Sequence, residues 1–156
     1  MNLKTIAGID CGWRSGGVGL IGPDQIHGRW AEVYDLPVFE KHGVDVSGLA
    51  EILMSCRIDH VYIEAQQAMP KQGASSTFNL GVGYGQILAT CALLHLPHTV
   101  VRPAVWKKAL GIGRDKDAAR CFAKRLYPKV SKDLNRKKDE HRAEGLLIAH
   151  YGYVNG

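Results

Sequence analysis

The run from Leu3 to Ile21, L-K-T-I-A-G-I-D-C-G-W-R-S-G-G-V-G-L-I, sets how the rest of the chain is to be read. Leu3 to Asp10 is an apolar stretch that carries a helix-unfriendly glycine and stops at an acid, which reads as a buried strand; the glycine-rich C-G-W-R-S-G-G after it reads as a turn. Val18 to Ile21 and Ile26 to Tyr34, separated by the turn-forming G-P-D-Q, continue as the second and third strands of an antiparallel meander.

Downstream the period changes. Val46, Leu49, Ile52, Leu53 and Cys56 fall at amphipathic-helix spacing over Val46 to Arg57, with Ser47 as N-cap. His60 to Glu64, H-V-Y-I-E, is a short central strand. A polar loop, Q-Q-A-M-P-K-Q-G-A-S-S-T, then leads to a helix from Phe78 to His95. Gly81, Gly83 and Gly85 each cost that helix about 0.8–1 kcal/mol relative to Ala, so something must offset them. Gly81, Gly85 and Ala89, at i, i+4 and i+8, make a smooth stripe on which another backbone could approach, either a second copy or the protein's own sheet. His98 to Val101 is a fifth strand, Pro103 opens a short helix at N1, and Asp115 to Leu126 and Lys138 to Tyr151 are helical. This order predicts an α/β domain spanning 1–156: a five-stranded mixed sheet, its first three strands antiparallel, flanked by helices.

Net charge is +5, yet Arg102 to Arg142 alone holds 14 Lys/Arg against 5 Asp/Glu, while the rest holds 6 against 10. The C-terminal third is therefore the candidate phosphate-binding surface, although solvated helix faces would give the same count. No stretch approaches the roughly 20 apolar residues of a membrane span, and no leader pattern opens the chain, so a soluble cytoplasmic protein is expected. Cys11, Cys56, Cys91 and Cys121 form no C-x-x-C pair and read as small buried residues, not ligands. Trp13, Trp30 and Trp106 read as packing residues, Trp13 lying in the turn beside Asp10. His27, His42, His60, His95 and His98 show no paired ligand spacing and read as structural.

Asp10 closes the first strand and Glu64 the fourth; if those strands are neighbours, both carboxylates emerge side by side at one rim of the sheet. The last helix adds Glu140, His141 and Glu144, since i+3 and i+4 neighbours lie about 5–6 Å apart on one face. Clustered acids without a cation repel and raise each other's pKa, whereas hard oxygen ligands suit Mg²⁺ or Mn²⁺. Two such ions about 3.5–4 Å apart serve phosphodiester hydrolysis. Taken singly each acid has a plain structural explanation, Asp10 as a turn cap, Glu64 as a strand end, Glu144 as a solvated helix residue. Their joint placement beside a basic segment carries the functional reading.

At these residues the chain resembles a family. A-G-I-D-C-G-W-R-S-G-G-V-G-L-I is similar to the G-I-D-P-G opening of RuvC-type Holliday-junction resolvases, I-E-A-Q-Q to their strand-ending Glu, and D-E-H-R-A-E-G-L-L-I-A to their terminal helix. The resemblance implies an RNase H-like fold, a homodimer, and Mg²⁺- or Mn²⁺-dependent cleavage of branched DNA in a bacterial cell. It selects Asp10, Glu64, His141 and Glu144 as the metal-binding, catalytic set; Glu140 stays open on helical spacing, as a partner for Glu144 at i, i+4. It also implies contact with the DNA backbone by Lys107, Lys108, Arg114 and Lys116 around L-G-I-G, and by Lys71 in the loop after Glu64. His141 and Glu144 stand where the family has Asp, which shifts metal preference toward Mn²⁺. Gln66, Gln67, Ala68 and Met69 replace an aromatic that follows the Glu in bacterial members, and Cys11 replaces a Pro; the divergence favours a phage or prophage type. Three other readings stay open. One is an RNase H-like nuclease acting on RNA or flaps. Another is a branched-DNA-binding module without catalysis. The third, an actin-like ATPase sharing the G-I-D-x-G opening, is disfavoured because it needs a second phosphate loop.

Overall fold

β1 (Ile6–Asp10) is the middle strand of a five-stranded sheet in the order β3-β2-β1-β6-β7 in a computed structural model that describes residues 4–26, 28–41 and 43–156, the side chain of Lys116 excepted. Leu3, expected to open the first strand, and His27 and His42, expected to be structural, lie outside the described residues. β2 (Gly17–Asp24) and β3 (Gly28–Asp35) form the antiparallel meander with β1. β6 (His60–Glu64) pairs parallel to β1 and β7 (His98–Val101) parallel to β6, so the sheet is mixed as the sequence predicts.

Strand parity sorts the side chains into two layers. Ala7 and Ile9 of β1 and Val61 and Ile63 of β6 point into one core with α1 (Val46–Met54) and α2 (Ala74–Leu93). Ile6 of β1 and Val101 of β7 point to the other, built with α3 (Pro103–Ala109), α4 (Lys116–Leu126) and α5 (Glu140–Asn155). Asp10 and Glu64, in phase with Ile6 and Tyr62 along their strands, share the α3/α5 side.

Glycines let α5 lie unusually close to that side. A Cβ on Gly8 would fall 2.2 Å from Ala149 N, one on Gly17 1.9 Å from His141 O, and one on Gly19 2.3 Å from Leu146 Cα. Gly145 answers from the helix, where a Cβ would lie 2.7 Å from Gly17 O. β1 and β2 thus meet α5 backbone on backbone, and the close approach delivers the helix's first turns to the end of β1.

Several boundaries depart from expectation. Ile26 is not in a strand but in the β2–β3 turn, 83% exposed, its N–H held 2.9 Å from Asp24 Oδ1, an Asx turn that takes a β-branched residue out of the ladder. α1 is capped by Asp45, whose carboxylate accepts from Gly48 N, not by Ser47, and it ends at Met54, short of Arg57. α2 begins about a turn earlier than Phe78. A two-strand ribbon, β4 (Val38–Phe39) and β5 (Gly43–Val44), and 3₁₀ turns at Pro128–Leu134 and Lys137–Asp139 carry no periodic signal that would have shown them. Cys91 is buried as expected and Cys11 and Cys56 half-buried, but Cys121 is exposed on α4. No described helix is long and apolar enough to cross a membrane.

Candidate active site

β1 and β6 run parallel with Ile9 opposite Ile63, so Asp10 and Glu64 leave adjacent strands at the same rim. The side-by-side carboxylates inferred from sequence are therefore present. Both are buried, at 5% and 8% exposure. α5 crosses this rim with its first turn, and His141 Nδ1 lies 2.8 Å from Asp10 Oδ2. The carboxylate only accepts when ionised, so Nδ1 then carries the proton. Ligand atoms of Asp10, His141 and Glu144 all lie within 4.8 Å of one another. Glu140 is not in that group; its Oε1 is 3.9 Å from His141 Nε2, on the outer side of the imidazole. Glu64 is not in that group either; it ends the neighbouring strand, held by Trp106, whose Nε1–H donates to its Oε2 at 2.9 Å.

Burial and mutual repulsion set the electrostatics of the site. Burial pushes the Asp10 carboxyl up to about 6 against the pull of its hydrogen bond to His141, and Glu144 adds repulsion. Burial and then the charge of Asp10 push Glu64 up to about 7, against the Trp106 hydrogen bond. His141 is raised, chiefly by its hydrogen bond to Asp10. Lys107 donates to Glu144 Oε1 at 3.0 Å. The His141 imidazole and the Lys107 ammonium thus sit against a compact set of acids. Three carboxylates and one imidazole, two of the carboxylates largely out of water, are a donor set that suits a divalent cation of hard or borderline character.

The start of α5 is pinned from outside. Arg142 grips Asp35 at the end of β3 with Nε and Nη2, at 2.7 and 2.9 Å, and buried Asp139 accepts from the Arg136 backbone N–H at 2.8 Å and from its guanidinium. Sequence reading gave these four residues no role beyond charge; only their meeting in space reveals it.

A cavity of about 760 Å³ opens beside Glu64, lined by Gln66, Gln67, Arg102, Lys107, Lys108 and Arg114 among others. Three of the five basic residues expected at DNA therefore line the cavity beside Glu64. Lys71 does not line this cavity; it is exposed in the β6–α2 loop with φ 65. Lys116 opens α4, and its side chain lies outside the described residues. Sequence reading missed Arg102, which precedes Pro103 and was counted only in the charge of its segment, and it assigned Trp106 to packing alone. Trp30 is indeed a packing residue, its ring lying where a Cβ on Gly22 would be, 2.6 Å away.

No protein-family model matches the sequence, and no curated protein sequence matches it. Solved structures do. Thermus thermophilus RuvC in complex with a Holliday junction substrate superposes with a TM-score of 0.73 at 18% identity, covering 96% of this chain and 93% of that one. The fowlpox virus Holliday junction resolvase gives 0.63 at 14%, over 97% and 99%. The yeast mitochondrial Holliday junction resolvase gives 0.57 at 13%, over 97% and 78%. The fold is the RNase H-like fold of junction resolvases, and the bacterial RuvC architecture is among its solved forms.

Proposed function

We propose that this chain is a RuvC-type endodeoxyribonuclease that recognises four-way or otherwise branched DNA and hydrolyses its phosphodiester bonds with Mg²⁺ or Mn²⁺. The observation that carries the reading is the meeting of Asp10, His141 and Glu144 within 4.8 Å, with Glu64 on the adjacent strand end. It occurs on a fold whose solved examples include resolvases in complex with Holliday junction DNA. Asp10, Glu64, His141 and Glu144 would hold the metal, which when bound supplies Lewis-acid activation of water and stabilises the departing oxygen. Lys108 and Arg114 bind the DNA backbone at the cavity beside Glu64, and Lys71 and Lys116 extend that contact. Lys107, which also lines the cavity, is paired with Glu144 and belongs to the site itself.

A symmetric dimer suits a two-fold substrate that needs paired incisions. The face of α2 supports it: Gly81, Gly85 and Ala89 are exposed, a Cβ on either glycine would meet nothing within 4 Å, and Phe78 and Leu93 stand at its ends 72% and 76% exposed. The stripe is not packed on its own sheet and is open to a second copy.

The test is cleavage of an end-labelled four-way junction beside a linear duplex of the same sequence, with Mg²⁺, with Mn²⁺ and with EDTA. Metal-dependent, symmetric nicks in the junction and an intact duplex are expected. Equal cutting of both, or none with either metal, would refute the reading.

A further inference from the structure

Trp106 is wholly buried, and its single polar atom is aimed at Glu64, 42 residues away in sequence. An indole N–H can only donate, so it fixes one oxygen of Glu64 as an acceptor whatever else binds there. A buried carboxylate with one oxygen tied in this way has few rotamers left. The next residue engages a second acid: Lys107 pairs with Glu144 and lies 5.1 Å from the Trp106 ring centroid. Consecutive residues of α3 thus hold carboxylates supplied by two different elements, β6 and α5. Pro103 at N1 fixes the start of this short helix, and Leu110 N–H closes it on Trp106 O.

We infer that Trp106 is a positioning residue of the metal site: its N–H holds Oε2 of Glu64 and so leaves the other carboxylate oxygen for a divalent ion. This rests on Glu64 being a metal ligand, as the proposed function has it. It assigns to a core aromatic a role that packing alone would not require, since a ring of this size could fill the same space without a donor.

The experiment measures Mn²⁺ affinity of the full chain by electron paramagnetic resonance of free Mn²⁺, alongside steady-state cleavage of the junction. Two changes are compared: Trp106→Phe, and replacement of Trp106 by 3-benzothienylalanine, which keeps the bicyclic shape and substitutes sulfur for N–H. Each is made in the parent and in Glu64→Gln. Removing the donor should weaken Mn²⁺ binding by about 10- to 100-fold, as loss of outer-shell partners does, and lower kcat with KM for DNA unchanged. In Glu64→Gln the same changes should add no further loss. The inference is overturned if the isostere binds Mn²⁺ as the parent does, if the loss is as large in Glu64→Gln, or if the parent binds no Mn²⁺. A parent that binds Mn²⁺, shows the Trp106 effect and cuts no branched DNA would sink the nuclease reading and leave this one standing.

Discussion

A Cβ on Gly17 would lie 1.9 Å from the carbonyl oxygen of His141. The second strand and the terminal helix therefore touch backbone to backbone at the residue that reaches Asp10, and the site's geometry depends on a position with no functional group. Gly17→Ala should lower stability by about 1–3 kcal/mol or more, since backbone cannot yield as a side chain can, and should abolish junction cleavage. Gly81→Ala, with open space at its Cβ in the protomer, should leave the protomer's fold intact. Urea unfolding of both variants decides the matter. A Gly17→Ala protein as stable and active as the parent would mean that α5 sits elsewhere on the sheet.

What the sequence disclosed and what it hid follow one physical division. Asp10 and Glu64 were legible because each ends an apolar run, and strand ends at one rim are a consequence of chain direction and pairing. On α5 helical spacing left Glu140 and His141 equally open, and the resemblance selected His141. The contacts that set the site's precision were not: Trp106 to Glu64 spans 42 positions and Lys107 to Glu144 spans 37. No local period records such pairs. The glycines show the division well. Those of β1 and β2 read as turn and breaker signals and prove to be the bed for α5. The stripe on α2, whose close approach to its own sheet was an open alternative, faces outward.

Divalent metal should stabilise the fold, because the ligands are assembled only when the chain is folded. At a concentration 100 times its Kd an ion adds about 2.7 kcal/mol, seen as a rise in melting temperature that EDTA reverses. Asp10→Asn and His141→Ala should lose that rise. Asp10→Asn should also stop cleavage while junction binding persists. Glu140→Ala should keep both the rise and the cutting, because the proposed ligand set on α5 is His141 and Glu144. A silent His141→Ala with a dead Glu140→Ala would move the site by one residue.

Lys107 and Lys108 are neighbours with different surroundings. Lys107 is half-buried and paired with Glu144, whereas Lys108 is exposed at the cavity. The salt dependence of junction binding, measured in Ca²⁺ to prevent cutting, separates them. Lys108→Ala with Arg114→Ala should reduce the slope of log K against log salt by about 0.9 per lost phosphate contact. Lys107→Ala should leave the slope near its parent value and act instead on kcat. Equal effects on the slope would place Lys107 at the backbone with the others.

Gly85→Arg should dissociate the dimer, since it sets a charge in the middle of the exposed α2 stripe without disturbing the protomer's own core. Sedimentation at micromolar concentration should show the parent as a dimer and the variant as a monomer that still binds Mn²⁺ but no longer makes paired incisions. A monomeric parent, with and without DNA, would remove the dimer from the proposal.

His150 offers a test of the core away from the metal. It is buried on α5, its Nδ1 2.8 Å from the Tyr127 hydroxyl, with Arg29 lying over the Tyr127 ring. Burial, aided by the charge of Arg29, pushes its pKa down from 6.5 to about 4. The folded chain keeps the imidazole neutral, and the unfolded chain protonates it below 6.5. Its contribution is therefore intact above pH 6.5, falls progressively as pH drops toward 4, and is fully lost below that. Over the whole window the loss amounts to about 3 kcal/mol. Asp10 and Glu64, whose pKa values are raised, take up protons in the folded state and work in the opposite direction, so the parent's own pH profile is a poor gauge. The difference between the parent and His150→Asn isolates the term, because the Asn carbonyl can still accept from Tyr127 but does not titrate. Urea midpoints at pH 7.5, 6 and 5 should show the parent losing ground to the variant as pH falls. Parallel profiles would mean that His150 is solvated enough to protonate in the folded chain.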